Sequence, residues 1–160
     1  MQYLIDGYNL IYADSVLASL MDDYMEEARE RLMNKLYVFC SHGKHKSTVV
    51  FDGKAGIPYI IKHPPGIQVI FTRETDADRQ IRKMIEAANN PSHLTVVTSD
   101  YKDIGHYAEV CGAALLRSDQ FLDQLEKFES RNRGESEKPE TVTAEEVGYW
   151  LKRFGERRSE

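Results

Sequence analysis

Apolar positions along this chain follow two alternating rhythms. Short, nearly unbroken runs carry the first: YLI at residues 3–5, TVVF at 48–51, IQVIF at 67–71, LTVV at 94–97 and ALL at 114–116. Runs this short, rich in β-branched residues and apolar at successive positions, predict strands buried on both faces, as in a parallel sheet. Between them, apolar residues recur every three or four positions. Met25, Ala28, Leu32, Leu36 and Phe39 predict a helix over residues 22–40, with Gly43 as its C-terminal stop. Ile81, Met84, Ile85 and Ala88 predict a second over 76–88, closed by Asn89, Asn90 and Pro91. A third covers 102–110 and stops before Gly112. A fourth follows Ser118, a good N-cap, and carries Leu122, Leu125 and Phe128. Strand and helix in regular alternation define the α/β class.

Two stretches break the rhythm. Residues 53–66 have a glycine at each end and contain Pro58, Pro64 and Pro65, so an irregular loop between two strands is expected. Residues 130–141, SRNRGESEKPET, are charged and hold Gly134 and Pro139, which reads as a flexible linker. Beyond it Thr143 and Glu146 make a capping box, and Val147, Trp150, Leu151 and Phe154 form an apolar stripe ended by Gly155. The expected organisation is therefore a domain over 1–129, a linker over 130–142 and an amphipathic helix over 143–155. That helix either packs back on the domain or docks a partner or a second subunit.

Composition narrows the options. A chain of 160 residues is long enough for one domain with a genuine core. Its net charge of -5 argues against a generic nucleic-acid binder with a broad basic surface, though not against an enzyme that touches nucleic acid over a small area. Cys40 and Cys111 lie outside any metal-ligand spacing and fall on predicted helices, as reduced core residues do. No apolar stretch reaches membrane-spanning length, and the first strand begins too near Met1 to leave room for a secretory signal. A cytoplasmic protein is expected.

The candidate chemistry sits where the strands end. Open parallel sheets bind ligands beyond the carboxyl ends of their strands. Here the first strand ends at Asp6, the second at Asp52 and the fourth at Asp100, while the third runs into a helix start carrying Asp76 and Asp78. Each acid alone has a structural explanation as a turn or cap residue. Together they crowd one edge, where like charges raise one another's pKa unless a cation intervenes. Mg²⁺ takes oxygen ligands, and a pair of such ions about 4 Å apart stabilises both the attacking and the leaving oxygen of a phosphodiester displacement. Asn9 suits such a centre as a neutral oxygen ligand or as an anchor for an acidic neighbour, and Gly7 lets the backbone turn beside Asp6. Other chemistries lack support. There is no G-x-S-x-G elbow, no phosphate loop, no G-x-G-x-x-G, and no zinc spacing among His42, His45, His63, His93 and His106.

Four blocks in this order, IDGYNLI, FDG, ETDADRQI and VVTSD, resemble an NYN domain, and more closely its YacP-like branch within the PIN-like nuclease superfamily. The resemblance covers residues 1–128. It implies a three-layer α/β/α fold around a mainly parallel sheet of about five strands, with a metal-dependent ribonuclease site at the strand ends. Asp6 matches the first-strand aspartate and Asn9 the asparagine of the same motif. Asp78 matches the helix-start acid and Asp100 the acid of the fourth-strand block. Asp52 matches an acidic position frequent in the family, and Asp76 falls at a variable one. The resemblance thus implies Asp6, Asn9, Asp78 and Asp100 as catalytic residues, with Asp6, Asp78, Asp100 and Asp52 holding Mg²⁺ or Mn²⁺. Members of the branch are linked to RNA turnover, in some cases at the ribosome.

RNA contacts are expected from basic and aromatic residues beside the acidic blocks. Arg73 follows the third strand, Arg79, Arg82 and Lys83 line the next helix, and Tyr8, Tyr12 and Tyr101 flank the acids where they could stack on bases. Two rivals stand beside a ribonuclease. One is a PIN-like module that grips RNA or a partner without cutting. The other is a receiver-like phosphoacceptor using Asp52, which expects an acidic pair after the first strand and a lysine after the fifth. This chain has Asp6-Gly7 and Arg117-Ser118 there.

Overall fold

The computed structural model describes residues 1–53, 65–73 and 75–136. The chain divides into two compact units, Met1–Glu129 and Ser130–Glu160. Within the first, β1 (Gln2–Asp6), β2 (Lys46–Phe51), β3 (Ile67–Phe71), β4 (Leu94–Thr98) and β5 (Ala114–Arg117) form a sheet of order β3-β2-β1-β4-β5. Every pairing is parallel. The helices are α1 (Gly7–Ala13), α2 (Ser15–Ser19), α3 (Met25–Gly43), α4 (Ala77–Ala87), α5 (His106–Val110) and α6 (Ser118–Ser136). A 3₁₀ turn at Pro91–His93 leads into β4, and a π-helical turn at Tyr101–Gly105 leads into α5.

Side-chain alternation along β1 sorts the core into two layers. Tyr3 and Ile5 face one side, where Leu10, Leu32, Leu36, Phe51, Phe121 and Leu125 close over them from α1, α3, β2 and α6. Leu4 faces the other, against Val50, Val96, Ile81, Ile85, Ile104 and Ala108. The sheet is therefore covered on both faces, which is why its strands read as continuous apolar runs. The order of the strands also separates this fold from the receiver class, whose sheet runs 2-1-3-4-5.

Several element boundaries differ from the pattern-based expectation. The stretch after Asp6 is helical at once, because Asp6 caps α1 through the backbone N–H of Asn9, and Asp14 then caps α2. Helices this short are too brief to show a period. The long helix starts at Met25 and runs through Gly43, and Lys44 takes the left-handed conformation that ends it, at φ 53°. A Cβ at Gly43 would sit 2.4 Å from the His45 ring, so a larger residue there would have to move that side chain. The helix expected over 102–110 opens as a π turn before becoming α5. Cys111 is half-buried at the C-cap of α5 rather than inside a helix, while Cys40 is buried in α3 with its Sγ 3.2 Å from Ser47 Oγ.

α6 continues to Ser136, into the stretch expected to begin a linker at residue 130. Arg133 in its last turn faces the negative end of the helix dipole, which favours extension there. The remainder of that linker, the helix expected over 143–155 and positions 54–64 of the expected loop lie outside the described residues. No helix among the described residues is long and apolar enough to cross a membrane.

Candidate metal centre

In the order β3-β2-β1-β4-β5, consecutive connections reverse direction between β1 and β4, and the crevice there is where ligands bind in such sheets. The acids gather at this point. Asp6 ends β1 and is only 8% exposed. One of its oxygens accepts from Asn9 N–H at 3.3 Å. Asn9 projects from the first turn of α1, and its side-chain oxygen accepts from the backbone N–H of Ser99 at 2.9 Å, so the exits of β1 and β4 are stapled together. The Asn9 side chain thus holds the Ser99 backbone, while its backbone N–H is what reaches Asp6.

Asp100 follows β4 and caps the π turn, accepting from Asp103 N–H at 3.1 Å while its own N–H donates to Thr98 Oγ1 at 3.0 Å. Asp78 lies in the first turn of α4. Asp76 is the N-cap of that helix and accepts from Arg79 N–H at 2.8 Å. Asp52, just beyond β2, accepts from Thr72 Oγ1 at 3.4 Å. A cavity of about 500 Å³ is lined by Asp6, Asn9, Asp52, Asp76, Asp78 and Ser99, with Tyr8 and Tyr12 on its wall.

The electrostatics record the convergence. Burial pushes the Asp6 carboxyl up to about 6, the Asn9 N–H pulls the other way, and the charges of Asp78, Asp100 and Asp52 add to the rise. Asp78 is raised as well, first by burial, then by Asp76 and Asp100, with Arg82 opposing them and Asp52 adding a little. Carboxylates from four strand or helix ends thus feel one another. One oxygen each from Asp78, Asp100 and Asp103 also lies within 4.8 Å of the other two. An all-oxygen, negatively charged donor set of this kind fits a hard divalent cation, which would remove the repulsion that raises Asp6.

Asp103 is the acid that sequence reasoning missed. It stands three residues after Asp100, one turn on, so Asp-x-x-Asp at a helix start was the available signal.

The expected RNA contacts fare unevenly. Arg73, Arg79 and Lys83 are exposed. Arg82 is engaged, pairing with Asp103 and stacking 4.8 Å from the Tyr107 ring centre. Tyr8 is tied down, for its hydroxyl accepts from Arg29 Nη1 at 3.0 Å and its ring packs 4.9 Å from that of Phe51. Tyr12 is 63% exposed, and Tyr101 lies beneath the Arg117 guanidinium at 4.6 Å.

The model of the YacP-like NYN domain matches residues 3–153. This chain belongs to that family. The uncharacterized protein YacP of Bacillus subtilis (strain 168) is 35% identical over 133 residues, covering 80% of this chain and 76% of its own. The crystal structure of Rae1 (YacP) from Bacillus subtilis superimposes with a TM-score of 0.70 at 31% identity, covering 99% of this chain and 95% of that one. A mutant form of the same protein gives 0.71 at 32% identity, covering 92% and 91%. The YacP-like NYN assignment, the PIN-like affiliation and the three-layer parallel fold expected from the sequence therefore hold.

Proposed function

We propose that this YacP-like NYN protein is a divalent-cation-dependent ribonuclease that hydrolyses RNA phosphodiester bonds, acting as an endonuclease in RNA turnover. The observation that carries this reading is the convergence of Asp6, Asp52 and Asp78 on one cavity, with Asp100 beside it and near enough to add to the rise of the Asp6 pKa. Mg²⁺ or Mn²⁺, when bound, supplies the positive charge that a phosphodiester displacement needs.

The chain's own residues do the rest. Asp6, Asp78 and Asp100 present the oxygens that hold the cation, with Asp52 at the outer side. Asp6 is buried and its pKa is raised, so a cation held beside it would favour its ionised form. Asn9 keeps the β1 and β4 exits in register through Ser99. Arg73 and Arg79 are exposed near the same edge and attract the phosphate backbone. A small basic contact beside an acidic protein suits an enzyme that visits RNA rather than one that coats it.

The test uses chelator-stripped protein and labelled single-stranded and structured RNA, with and without Mn²⁺. Cleavage that requires Mn²⁺ and disappears in Asp78→Asn and Asp100→Asn is expected. Cleavage that survives both substitutions would overturn the assignment. Binding of RNA without any turnover would identify a non-cleaving module instead. The link of the branch to the ribosome extends the reading to RNA engaged in translation, which co-sedimentation with ribosomes would check. Cys40 and Cys111, both free thiols, fit a reducing cytoplasm.

A further inference from the structure

One basic side chain is built into the acidic face. On α4, Asp78, Arg82 and Glu86 stand four residues apart and share one side of the helix. Asp103 and Tyr107 are likewise one turn apart along the π turn and α5. The two rows interlock. Arg82 Nη2 donates to Asp103 Oδ1, the guanidinium lies 4.8 Å from the Tyr107 ring centre, and the Tyr107 hydroxyl donates to Glu86 Oε1. Yet Asp103 also belongs to the acidic group, with one oxygen within 4.8 Å of those of Asp78 and Asp100. The same carboxylate therefore meets the Arg82 guanidinium and lies within reach of the candidate metal centre.

We propose that Arg82 is a clamp on the cation centre: it holds Asp103 and competes with the divalent ion for that carboxylate, so Asp103 is the adjustable ligand and Arg82 sets how tightly the ion is held. This inference rests on the cation-dependent reading of the cavity. A guanidinium stays protonated across the working pH range, so wherever Asp103 is ionised a competing cation is what displaces Arg82. Tyr107 gives Arg82 a place to rest when Asp103 turns to the ion, since stacking on the ring persists without the ion pair. Arg82 then acts as a positioning residue, and the expectation that it grips RNA gives way to that role.

The test reads ion binding without RNA. Mn²⁺ is titrated into the chelator-stripped full chain at fixed ionic strength, with free Mn²⁺ followed by electron paramagnetic resonance. Arg82→Gln is expected to tighten Mn²⁺ about fivefold, the size of one exposed ion pair removed from competition. Asp103→Asn is expected to weaken it. In the Asp103→Asn background, Arg82→Gln is expected to change little, because the shared carboxylate is gone. Arg82→Lys keeps the charge but loses the planar fork and is expected to fall between wild type and Arg82→Gln. It also keeps the test decisive should Arg82→Gln unfold, which a thermal melt would report.

No tightening in the Arg82 variants, or an equal gain with and without Asp103, would overturn the clamp. If the wild-type chain binds no Mn²⁺, the nuclease reading falls with it. If the wild type binds Mn²⁺ and only the Arg82 effect is missing, the clamp alone falls.

Discussion

The side-chain oxygen of Asn9 accepts a hydrogen bond from the Ser99 backbone at 2.9 Å, joining the exits of β1 and β4 directly above the acidic cavity. Asn9→Ala should lose both the staple and the register it enforces. The expected cost is about 1 kcal/mol of stability, read by urea unfolding, and a larger proportional loss of RNA cleavage. Asn9→Asp keeps an acceptor for Ser99 but adds a charge to a crowded site. It should recover less stability without cation than with saturating Mn²⁺.

Asp6 makes stability depend on pH in an unusual direction for an acid. Its folded pKa is raised to about 6 from 3.8, so the folded state holds its proton longer than the unfolded chain does. Stability contributed by protonated Asp6 is then full below the lower value and is lost as pH rises through the upper one. The loss is on the order of 2–3 kcal/mol across that window. In chelator, Asp6→Asn should gain on wild type from about pH 4 to about pH 6 and stay level above. Denaturation series at stepped pH would show this, and a gap that does not grow with pH would contradict it. The same variant should cleave no RNA.

Gly7 is a packing requirement as well as a turn. A Cβ there would meet the ring of fully buried Phe51 at 2.4 Å. Phe51 in turn supports Tyr8 on the cavity wall. Gly7→Ala should destabilise by about 1–3 kcal/mol, as overpacking does. It should also reduce activity in the protein that remains folded, measured as kcat at saturating RNA.

Arg79 is exposed on α4, and its backbone N–H donates to Asp76. Arg79→Ala should weaken RNA binding similarly for all sequences and lower the slope of log affinity against log salt by about one contact. Binding isotherms at several salt concentrations would check this. An unchanged slope would remove Arg79 from the RNA path.

Much of this molecule was legible in one dimension because its sheet is buried on both faces. The YLI, IQVIF and LTVV runs had nowhere to go but the core, and the observed strands match them to within one residue at either end. The acids were legible for a related reason. A carboxylate that follows a buried strand in an α/β chain emerges at the carboxyl edge of the sheet, which is where Asp6 and Asp100 stand.

What the chain concealed were features set by single contacts. α1 and α2 owe their existence to Asp6 and Asp14 as caps, and neither is long enough to display a period. Asp103 went unmarked, because its partner Arg82 comes from a different helix. The engagement of Tyr8 by Arg29 was hidden for the same reason, since the two are 21 positions apart.

The central place of β1 also dictates the order in which this protein can come into being. Its two neighbours are β2 and β4, and the staple from Asn9 reaches a backbone group 90 residues away. Chain synthesis therefore delivers Asp6 first and its companions Asp78 and Asp100 much later. A growing polypeptide bearing only the first two strands has a sheet but no acidic cavity. Long-range closure of this kind is slow relative to local folding. It also means that Asp6 and Asp100 meet only once β4 has docked beside β1.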